Sequence, residues 1–121
     1  MVSVSYEPNP GGLGAVINDV DLAQPLDEKT ISDIKQIFWE FHLIIFKNQK
    51  ITPDQQIRFG KYFGPVVKHP YIKGLEGFPE IMVVEKKEND NHNFAGAWHT
   101  DTSDQEVPAL ASALHARQIP P

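Results

Sequence analysis

The stretch FHLIIFKNQKITPDQQIRFGKYFGPV, residues 41–66, combines the two patterns that define the fold of this chain. Its first part, LIIF at 43–46, is short, apolar throughout and β-branched at its centre. Such a run is typical of a strand buried on both faces, because a strand with one solvated face alternates apolar and polar residues. A helix with signals at both ends follows closely, so the stretch predicts a strand and then a helix.

The helix of this stretch is predicted over residues 51–65. Thr52 is its N-cap, Pro53 takes the first helical position, and Gln55 completes a T-x-x-Q capping box. The Gly–Pro pair at 64–65 ends the helix, because proline cannot continue it. The residues predicted to face a core are Ile57, Tyr62 and Phe63.

A second helix and two strands are predicted upstream. VSVSY at 2–6 alternates as a strand does, residues 8–14 are predicted to turn, and AVIN at 15–18 is predicted as a second strand. The helix runs from Asp27, which can cap the first turn, to about Phe41. Its apolar residues recur every three or four positions and so share one face: Ile31, Ile34, Ile37, Phe38 and Phe41.

The remainder of the chain is predicted to be mainly strands. EIMVVEK at 80–86 is predicted as a strand, residues 87–93 as a polar loop, and residues 97–102 as an extended segment. Residues 109–119 are predicted as a last strand, with a short helix as the alternative, and a Pro–Pro pair ends the chain. Interleaved helices and strands followed by strands indicate the α+β class.

Composition limits the possible functions. The chain has 121 residues, the size of one domain or part of one, and 40% of them are hydrophobic. A net charge of −5 with scattered Lys and Arg argues against a nucleic-acid partner. The sequence has neither an apolar run near the about 18 residues of a membrane span nor a signal-peptide pattern, so we expect no membrane partner and a cytoplasmic location. Without cysteine, metal ligands must be His, Asp or Glu.

The motif GAWHTDTSD at 96–104 holds the candidate metal ligands. In an extended segment His99 and Asp101 project on one face, while Trp98 and Thr100 point the other way into packing. An imidazole nitrogen and a carboxylate oxygen at this spacing can take neighbouring positions on one metal ion. A third ligand would complete the 2-His-1-carboxylate triad that holds non-haem Fe(II). An H-x-D pair also occurs by chance, so a polar surface loop is the alternative.

Four blocks of sequence resemble, in order, the taurine dioxygenase family, the Fe(II)- and 2-oxoglutarate-dependent dioxygenases related to TauD and TfdA. The blocks are GAVINDVDLAQPLDEKTISDI, FHLIIFKNQKITPDQQIRFGKYFGPV, HPYIKGLEGFPEIMVVEK and NFAGAWHTDTS, and the resemblance runs from about Gly14 to Pro121. It implies that residues 1–121 form one partial domain, the N-terminal part of a double-stranded β-helix, or jelly roll, with flanking helices. It also implies an iron-dependent oxidoreductase that uses 2-oxoglutarate and O2 to hydroxylate a small, anionic organic substrate such as a sulfonate.

The resemblance assigns roles to single residues. His99 and Asp101 match the first two iron ligands, and the aspartate implies a hydroxylase rather than a halogenase. His69 lies where taurine-type members place a histidine toward the anionic group of the substrate, with a plain loop histidine as the alternative. Asn93 is the candidate contact to 2-oxoglutarate or substrate, although the residues themselves favour a turn or packing role. Tyr71 is one residue out of register with a family substrate tyrosine and receives no role.

The family also needs residues that this chain does not contain: a threonine that contacts 2-oxoglutarate, a distal iron-ligand histidine and an arginine that pairs with 2-oxoglutarate. We therefore expect this chain alone to be inactive, to hold iron weakly and to form a homo-oligomer or aggregate through exposed strand edges. The alternatives are a truncated, non-catalytic fragment and a small cupin-like metal-binding protein with His115 or His69 as third ligand. Asp104 and Gln105 depart from the family, which commonly has bulkier residues there.

Overall fold

A computed structural model of the chain describes residues 1–119, and the predicted chain end at Pro120 and Pro121 lies outside the described residues. The chain divides into two compact units, Met1–Pro65 and Val66–Pro121. All helices and strands of the described residues lie in the first unit. Within residues 1–119, no helix is long and apolar enough to cross a membrane. The prediction of one partial domain over residues 1–121 stays a prediction.

The first unit contains a three-stranded mixed sheet. Its strands are β1 (Tyr6–Pro8), β2 (Ala15–Ile17) and β3 (Ile44–Phe46), in the order β1-β2-β3. β1 and β2 are antiparallel and joined by the predicted turn, whereas β2 and β3 are parallel. Gly14 closes the turn at φ +89°, and a Cβ there would lie 2.7 Å from the Asn9 side-chain nitrogen. The turn therefore requires glycine at this position.

Helix α1 (Glu28–Phe41) connects β2 to β3 and confirms the predicted helix. The side chain of Asp27 accepts a hydrogen bond from the Thr30 N–H at 2.7 Å, as an N-cap does. His42 ends the helix in the left-handed region, with its N–H donating to the Phe38 carbonyl at 2.7 Å. The core forms where the predicted apolar face of α1 meets the sheet, and its buried residues are Ala15, Ile17, Ile34 and Ile37.

Strand β3 corrects the prediction that residues 43–46 are buried on both faces. β3 is an edge strand of the sheet, and its alternate residues Ile44 and Phe46 pack on the core. Ile45 projects to the opposite face and is 37% exposed, while Leu43, just before the strand, is 46% exposed. The continuous apolar run therefore predicts the strand correctly but not its burial. Burial depends on which layers cover the sheet.

The predicted strand at 2–6 is also corrected, since β1 begins only at Tyr6. The Ser3 N–H and the Ser3 hydroxyl each donate to Asp33 Oδ2 at 2.7 Å, and the Val4 N–H donates to the same oxygen at 3.3 Å. The other oxygen of Asp33 accepts from Lys29 Nζ at 3.1 Å. The buried carboxylate of Asp33 thus accepts hydrogen bonds from Ser3 and Val4. In a strand, the N–H groups of these residues would instead donate to a neighbouring strand.

Asp33→Asn is expected to lower the urea midpoint of unfolding at pH 7 and to weaken its acid dependence. The Ser3 N–H and hydroxyl hold the pKa of Asp33 well below its usual range, against the opposing effect of burial. Because the folded-state pKa is depressed, this stabilisation is complete above the unfolded-state pKa of about 3.9 and is lost as pH falls toward the folded-state value. The wild-type midpoint should therefore fall more between pH 5 and about pH 2 than the variant midpoint.

Glu40→Gln on the same helix is the control for this experiment, because Glu40 is exposed and its replacement should change stability by about 0.5 kcal/mol or less. Equal acid dependence in the wild type and in Asp33→Asn would show that the contacts between Asp33 and the N-terminal segment do not stabilise the fold.

Helix α2 (Pro53–Lys61) confirms the predicted second helix, with bounds inside the predicted 51–65. Thr52 and Gln55 form the reciprocal capping box, in which the Gln55 N–H donates to Thr52 Oγ1 at 3.3 Å and the Thr52 N–H to Gln55 Oε1 at 2.8 Å. Ile57 and Tyr62 are half-buried, and Phe63 packs edge-on against Phe38 with ring centroids 5.7 Å apart. Phe63, just after α2, thus packs on the core, while α2 itself buries no residue fully.

Thr52→Ala is expected to destabilise the first unit by about 1 kcal/mol, because it leaves the N–H of Gln55 without its acceptor. Thr52→Ser keeps the hydroxyl and should retain most of that stability. Urea unfolding followed by circular dichroism at 222 nm measures both variants. Equal midpoints for the alanine and serine variants would contradict a stabilising role for the cap.

The second unit is irregular in its described part and corrects three predictions. The segments 80–86, 97–102 and 109–119 form no strand, and the last forms no helix either. Within 80–86, Val83 is 59% and Val84 is 53% exposed. A strand needs a hydrogen-bonding neighbour along its length, and the described residues of this unit supply only a bridge between Leu75 and Phe78.

The polar loop predicted at 87–93 is confirmed. It begins with a turn in which the Lys87 N–H donates to Asp90 Oδ2 at 2.8 Å and the Asp90 N–H donates to the Lys87 carbonyl at 3.0 Å. Across the described residues, a small mixed sheet and two helices agree with the α+β class.

Candidate metal centre

His99 and Asp101 lie side by side in the second unit. His99 Nε2 is 3.3 Å from Asp101 Oδ1, although the segment bends at 97–98 and 101–102 instead of forming the predicted extended strand. The imidazole is held from behind, since His99 Nδ1 lies 2.7 Å from the Ala97 carbonyl. The carboxylate is held through its second oxygen, which accepts a hydrogen bond from the Ser112 hydroxyl at 3.1 Å. Each candidate ligand is therefore oriented by a contact on the atom that faces away from the other.

The contact to Ala97 determines which atom His99 Nδ1 faces and that this nitrogen carries a proton. A carbonyl oxygen only accepts, so Nδ1 carries a proton and Nε2 faces the carboxylate with either a lone pair or a second proton. Two electron-rich atoms at this distance need a cation between them, a proton or a metal ion. Neighbouring ligands on an octahedral ion with bonds of about 2.1 Å lie about 3 Å apart. The pair therefore fits a metal ion with nitrogen and carboxylate ligands, oriented as metal-binding histidines are by a second hydrogen bond.

The described residues contain no third ligand for this pair. No group of three or more His, Cys, Asp or Glu side chains that could hold a metal ion occurs within residues 1–119. His115 is half-buried in an irregular segment and not on the predicted strand, and neither it nor His69 completes such a group. The structure thus gives no support to the cupin-like alternative.

Trp98 corrects the prediction that it packs inward. It is fully exposed, and with Gly96, Ala97 and His99 it lines an open depression beside the imidazole. Because the segment bends at 97–98, the alternation that would turn Trp98 into a core is lost. Thr100, also predicted to pack, contacts the Ser103 hydroxyl through its own hydroxyl.

Asn93 lies just before a turn and is exposed. Its side-chain oxygen accepts a hydrogen bond from Lys86 Nζ, and its carbonyl accepts from the Gly96 N–H at 3.3 Å. Ala95 follows with φ +52°, a conformation in which a glycine would be less strained. These contacts are those of a turn residue, and a contact of Asn93 to 2-oxoglutarate stays a prediction.

His69 belongs to a polar cluster that the sequence did not predict. Its Nδ1 accepts a hydrogen bond from the Tyr71 N–H at 3.2 Å, and the two rings meet edge-on with centroids 6.0 Å apart. The Tyr71 hydroxyl donates to Asp104 Oδ2 at 3.0 Å. Gln105 Nε2 donates to that same oxygen at 3.1 Å and to the Tyr71 hydroxyl at 3.3 Å. The only signal in the sequence was that Asp104 and Gln105 are polar where the family commonly has bulkier residues.

Asp104 is ionised in this cluster. The hydrogen bond from the Tyr71 hydroxyl is the largest influence that lowers the pKa of Asp104, and Gln105 and the nearby His69 lower it further. An ionised carboxylate is a stronger hydrogen-bond acceptor than a neutral one. The charge of Asp104 therefore strengthens its contact with Tyr71.

Comparison with known proteins identifies relatives of this chain. An alkylsulfatase of Acinetobacter baylyi is 29% identical over 111 residues, which cover 91% of this chain and 34% of that protein. An alpha-ketoglutarate-dependent 2,4-dichlorophenoxyacetate dioxygenase of Cupriavidus pinatubonensis is 27% identical over 136 residues, covering 99% of this chain and 47% of that protein. The chain thus spans between 34% and 47% of the length of these relatives.

A solved structure is also similar to this chain. The crystal structure of a taurine dioxygenase from Burkholderia xenovorans superimposes with a TM-score of 0.59 and 28% sequence identity, covering 64% of this chain and 28% of that one. The family model described as taurine catabolism dioxygenase TauD, TfdA family matches residues 5–121. Since that match takes in nearly the whole sequence, the chain belongs to the TauD/TfdA family of dioxygenases.

Proposed function

We propose that this chain is part of an Fe(II)- and 2-oxoglutarate-dependent dioxygenase in which His99 and Asp101 are two of the three iron ligands. The observation that carries the proposal is the 3.3 Å approach of His99 Nε2 to Asp101 Oδ1, with both groups oriented from behind. The third ligand and the arginine that binds 2-oxoglutarate come from outside residues 1–119, in a jelly roll that this chain forms only in part. The family and the naming of one relative as alpha-ketoglutarate-dependent support this assignment.

The residues of this chain orient the site. The Ala97 carbonyl keeps the proton of His99 on Nδ1 and leaves Nε2 as the ligand atom. Asp101 supplies one negative charge, and Ser112 fixes which carboxylate oxygen turns toward the imidazole. When bound, iron with 2-oxoglutarate and O2 supplies the oxidation, in which a substrate C–H becomes C–OH while 2-oxoglutarate becomes succinate and CO2.

We propose a small organic anion as the substrate, with His69 toward its anionic group. Tyr71 donates its N–H to His69 Nδ1, so the neutral imidazole carries its proton on Nε2. That nitrogen is then a hydrogen-bond donor, which suits a sulfonate, sulfate or carboxylate oxygen. Relatives named for a sulfate ester and for a dichlorophenoxyacetate support anionic substrates as a class.

Succinate formation tests the proposed function. The intact protein from its host is incubated with Fe(II), 2-oxoglutarate and, in turn, an alkyl sulfonate, an alkyl sulfate and an aryloxyacetate, and succinate is quantified by NMR. We expect succinate only when Fe(II) and at least one of these anions are both present, and a chelator should stop its formation. Absence of succinate with all three anions, in protein that binds Fe(II), would contradict the proposed substrate class.

Intact mass spectrometry of the same sample identifies the source of the third ligand. A mass above 13.6 kDa means that one polypeptide carries these residues and more. A mass of 13.6 kDa in active protein would place the third ligand on a second chain.

A further inference from the structure

Tyr71 joins two segments of the second unit that are distant in sequence. Its hydroxyl donates to Asp104 Oδ2 at 3.0 Å and accepts from Gln105 Nε2 at 3.3 Å, across 33 and 34 positions of the chain. The described residues of this unit have no helix or named strand to fix one segment against the other. Side-chain hydrogen bonds of this kind therefore help to set the relative position of the two segments.

At one end of this connection, Tyr71 holds the imidazole of His69 and favours a proton on its Nε2. Because the Tyr71 N–H donates to His69 Nδ1, and the two rings meet edge-on, the imidazole is held by the backbone and by the ring of one residue. A shift of Tyr71 would move the imidazole and release the preference for a proton on Nε2. The donor that we propose for the substrate anion is thus positioned through Tyr71.

The other end belongs to the loop that follows the candidate iron ligands. Asp104 is three residues beyond Asp101, and the Gln105 N–H donates to the Thr102 carbonyl at 3.1 Å in a turn where Thr102 has φ +49°. Both Asp104 and Gln105 in this turn contact the Tyr71 hydroxyl. The same short loop therefore carries one proposed iron ligand at its start and the anchor of Tyr71 at its end.

We propose that Tyr71 and Asp104 are positioning residues that hold His69 at a set place relative to the iron ligands, and so determine how well the substrate anion binds. This inference rests on the proposed function. It goes beyond it by giving roles to two residues that contact neither the metal nor, in this scheme, the reacting carbon. Gln105 supports the connection as a second donor to the Asp104 carboxylate.

Tyr71→Phe in the intact protein tests the proposal, because it removes one hydroxyl and keeps the ring. We expect the KM for the anion to rise about tenfold, because Tyr71 loses its hydrogen bond to the ionised Asp104 and no longer holds His69 in place. The kcat and the Fe(II) affinity should stay within about twofold of wild type. Asp104→Asn keeps an acceptor for the tyrosine and should raise KM less than Asp104→Ala. Tyr6→Phe, a tyrosine change in the first unit, is the matched control and should leave KM unchanged.

A second measurement is independent of turnover. The side-chain 15N resonances of His69 report which ring nitrogen carries the proton, and they should change in Tyr71→Phe and Asp104→Ala but not in Tyr6→Phe. In the double variant Tyr71→Phe/Asp104→Ala the change should equal that of either single variant, since both break one connection. Unchanged His69 resonances would overturn the proposal even if the wild type makes succinate. Absence of succinate with shifted resonances would instead contradict the proposed function alone.

Discussion

Asp101→Ala is expected to abolish Fe(II)-dependent succinate formation in the intact protein and to weaken metal binding more than 100-fold. The substitution removes the one negatively charged ligand that the described residues offer to the metal, and it leaves His99 without the atom 3.3 Å from its Nε2. Loss of a residue that only orients a metal ligand already costs about 10–100-fold in affinity, so loss of a ligand should cost more. Co(II) absorption and isothermal titration with Fe(II) under argon measure the affinity.

Two further variants test the assignment. Asp90→Ala removes an exposed aspartate of the polar loop in the same unit and should leave metal affinity unchanged. Ser112→Ala removes the hydroxyl that holds Asp101 Oδ2 and should lower affinity by about tenfold, between the control and the ligand variant. Wild-type affinity in Asp101→Ala would favour the other interpretation of this motif, a histidine–carboxylate pair on a polar surface loop.

The helices were predictable because their signals are local. Asp27 and Thr52 cap the helices that follow them, and the spacing of Ile34 and Ile37 marks the buried face of α1. Each of these signals acts within one or two turns of helix, so the sequence contains all that is needed to recognise it.

The strands were less predictable because a strand depends on its neighbour. Residues 2–5 alternate as a strand does, yet the N–H groups of Ser3 and Val4 donate to Asp33, about 30 positions away. The segment 80–86 pairs with no strand in the described part of its unit, and its Val83 and Val84 remain exposed. Periodicity indicates which residues can form a strand, and only the tertiary context determines whether they do.

The candidate site divides in the same way. The proximity of His99 and Asp101 followed from their spacing, although a bend and not a strand brings them together. The cluster of His69, Tyr71 and Asp104 did not follow, because the contact from Tyr71 to Asp104 crosses 33 positions and no periodic pattern encodes it. Tyr71 received no role from the sequence, because it is one residue out of register with a family tyrosine. In the structure it lies at the centre of that cluster.

Ile34→Ala is expected to destabilise the first unit by about 2–5 kcal/mol. Ile34 is 1% exposed and lies in the core between α1 and the sheet. Its truncation removes buried apolar contacts and leaves a cavity that the small core can fill only by moving whole elements. Since small domains are stable by about 5–15 kcal/mol, a loss of this size should leave part of the population unfolded at 37 °C.

The measurement uses the two tryptophans of the chain. In a Trp98→Phe background, Trp39 on α1 is the remaining fluorophore, so urea unfolding followed by fluorescence reports on the first unit. Ile45→Ala is the matched control, because it makes the same substitution in β3 at a residue that is 37% exposed and points away from the core. It should cost about 1 kcal/mol, mainly in β-propensity.

The difference in stability cost between Ile34→Ala and Ile45→Ala shows whether the outer face of β3 is exposed or covered. If burial in this unit sets the cost, Ile34→Ala exceeds Ile45→Ala by at least about 1 kcal/mol. If the outer face of β3 is covered in the intact protein, as a jelly roll completed by further strands would require, the cost of Ile45→Ala rises toward that of Ile34→Ala. Comparing Ile45→Ala in the 121-residue chain and in the protein isolated from its host therefore tests whether the exposed face of the sheet is covered in that protein.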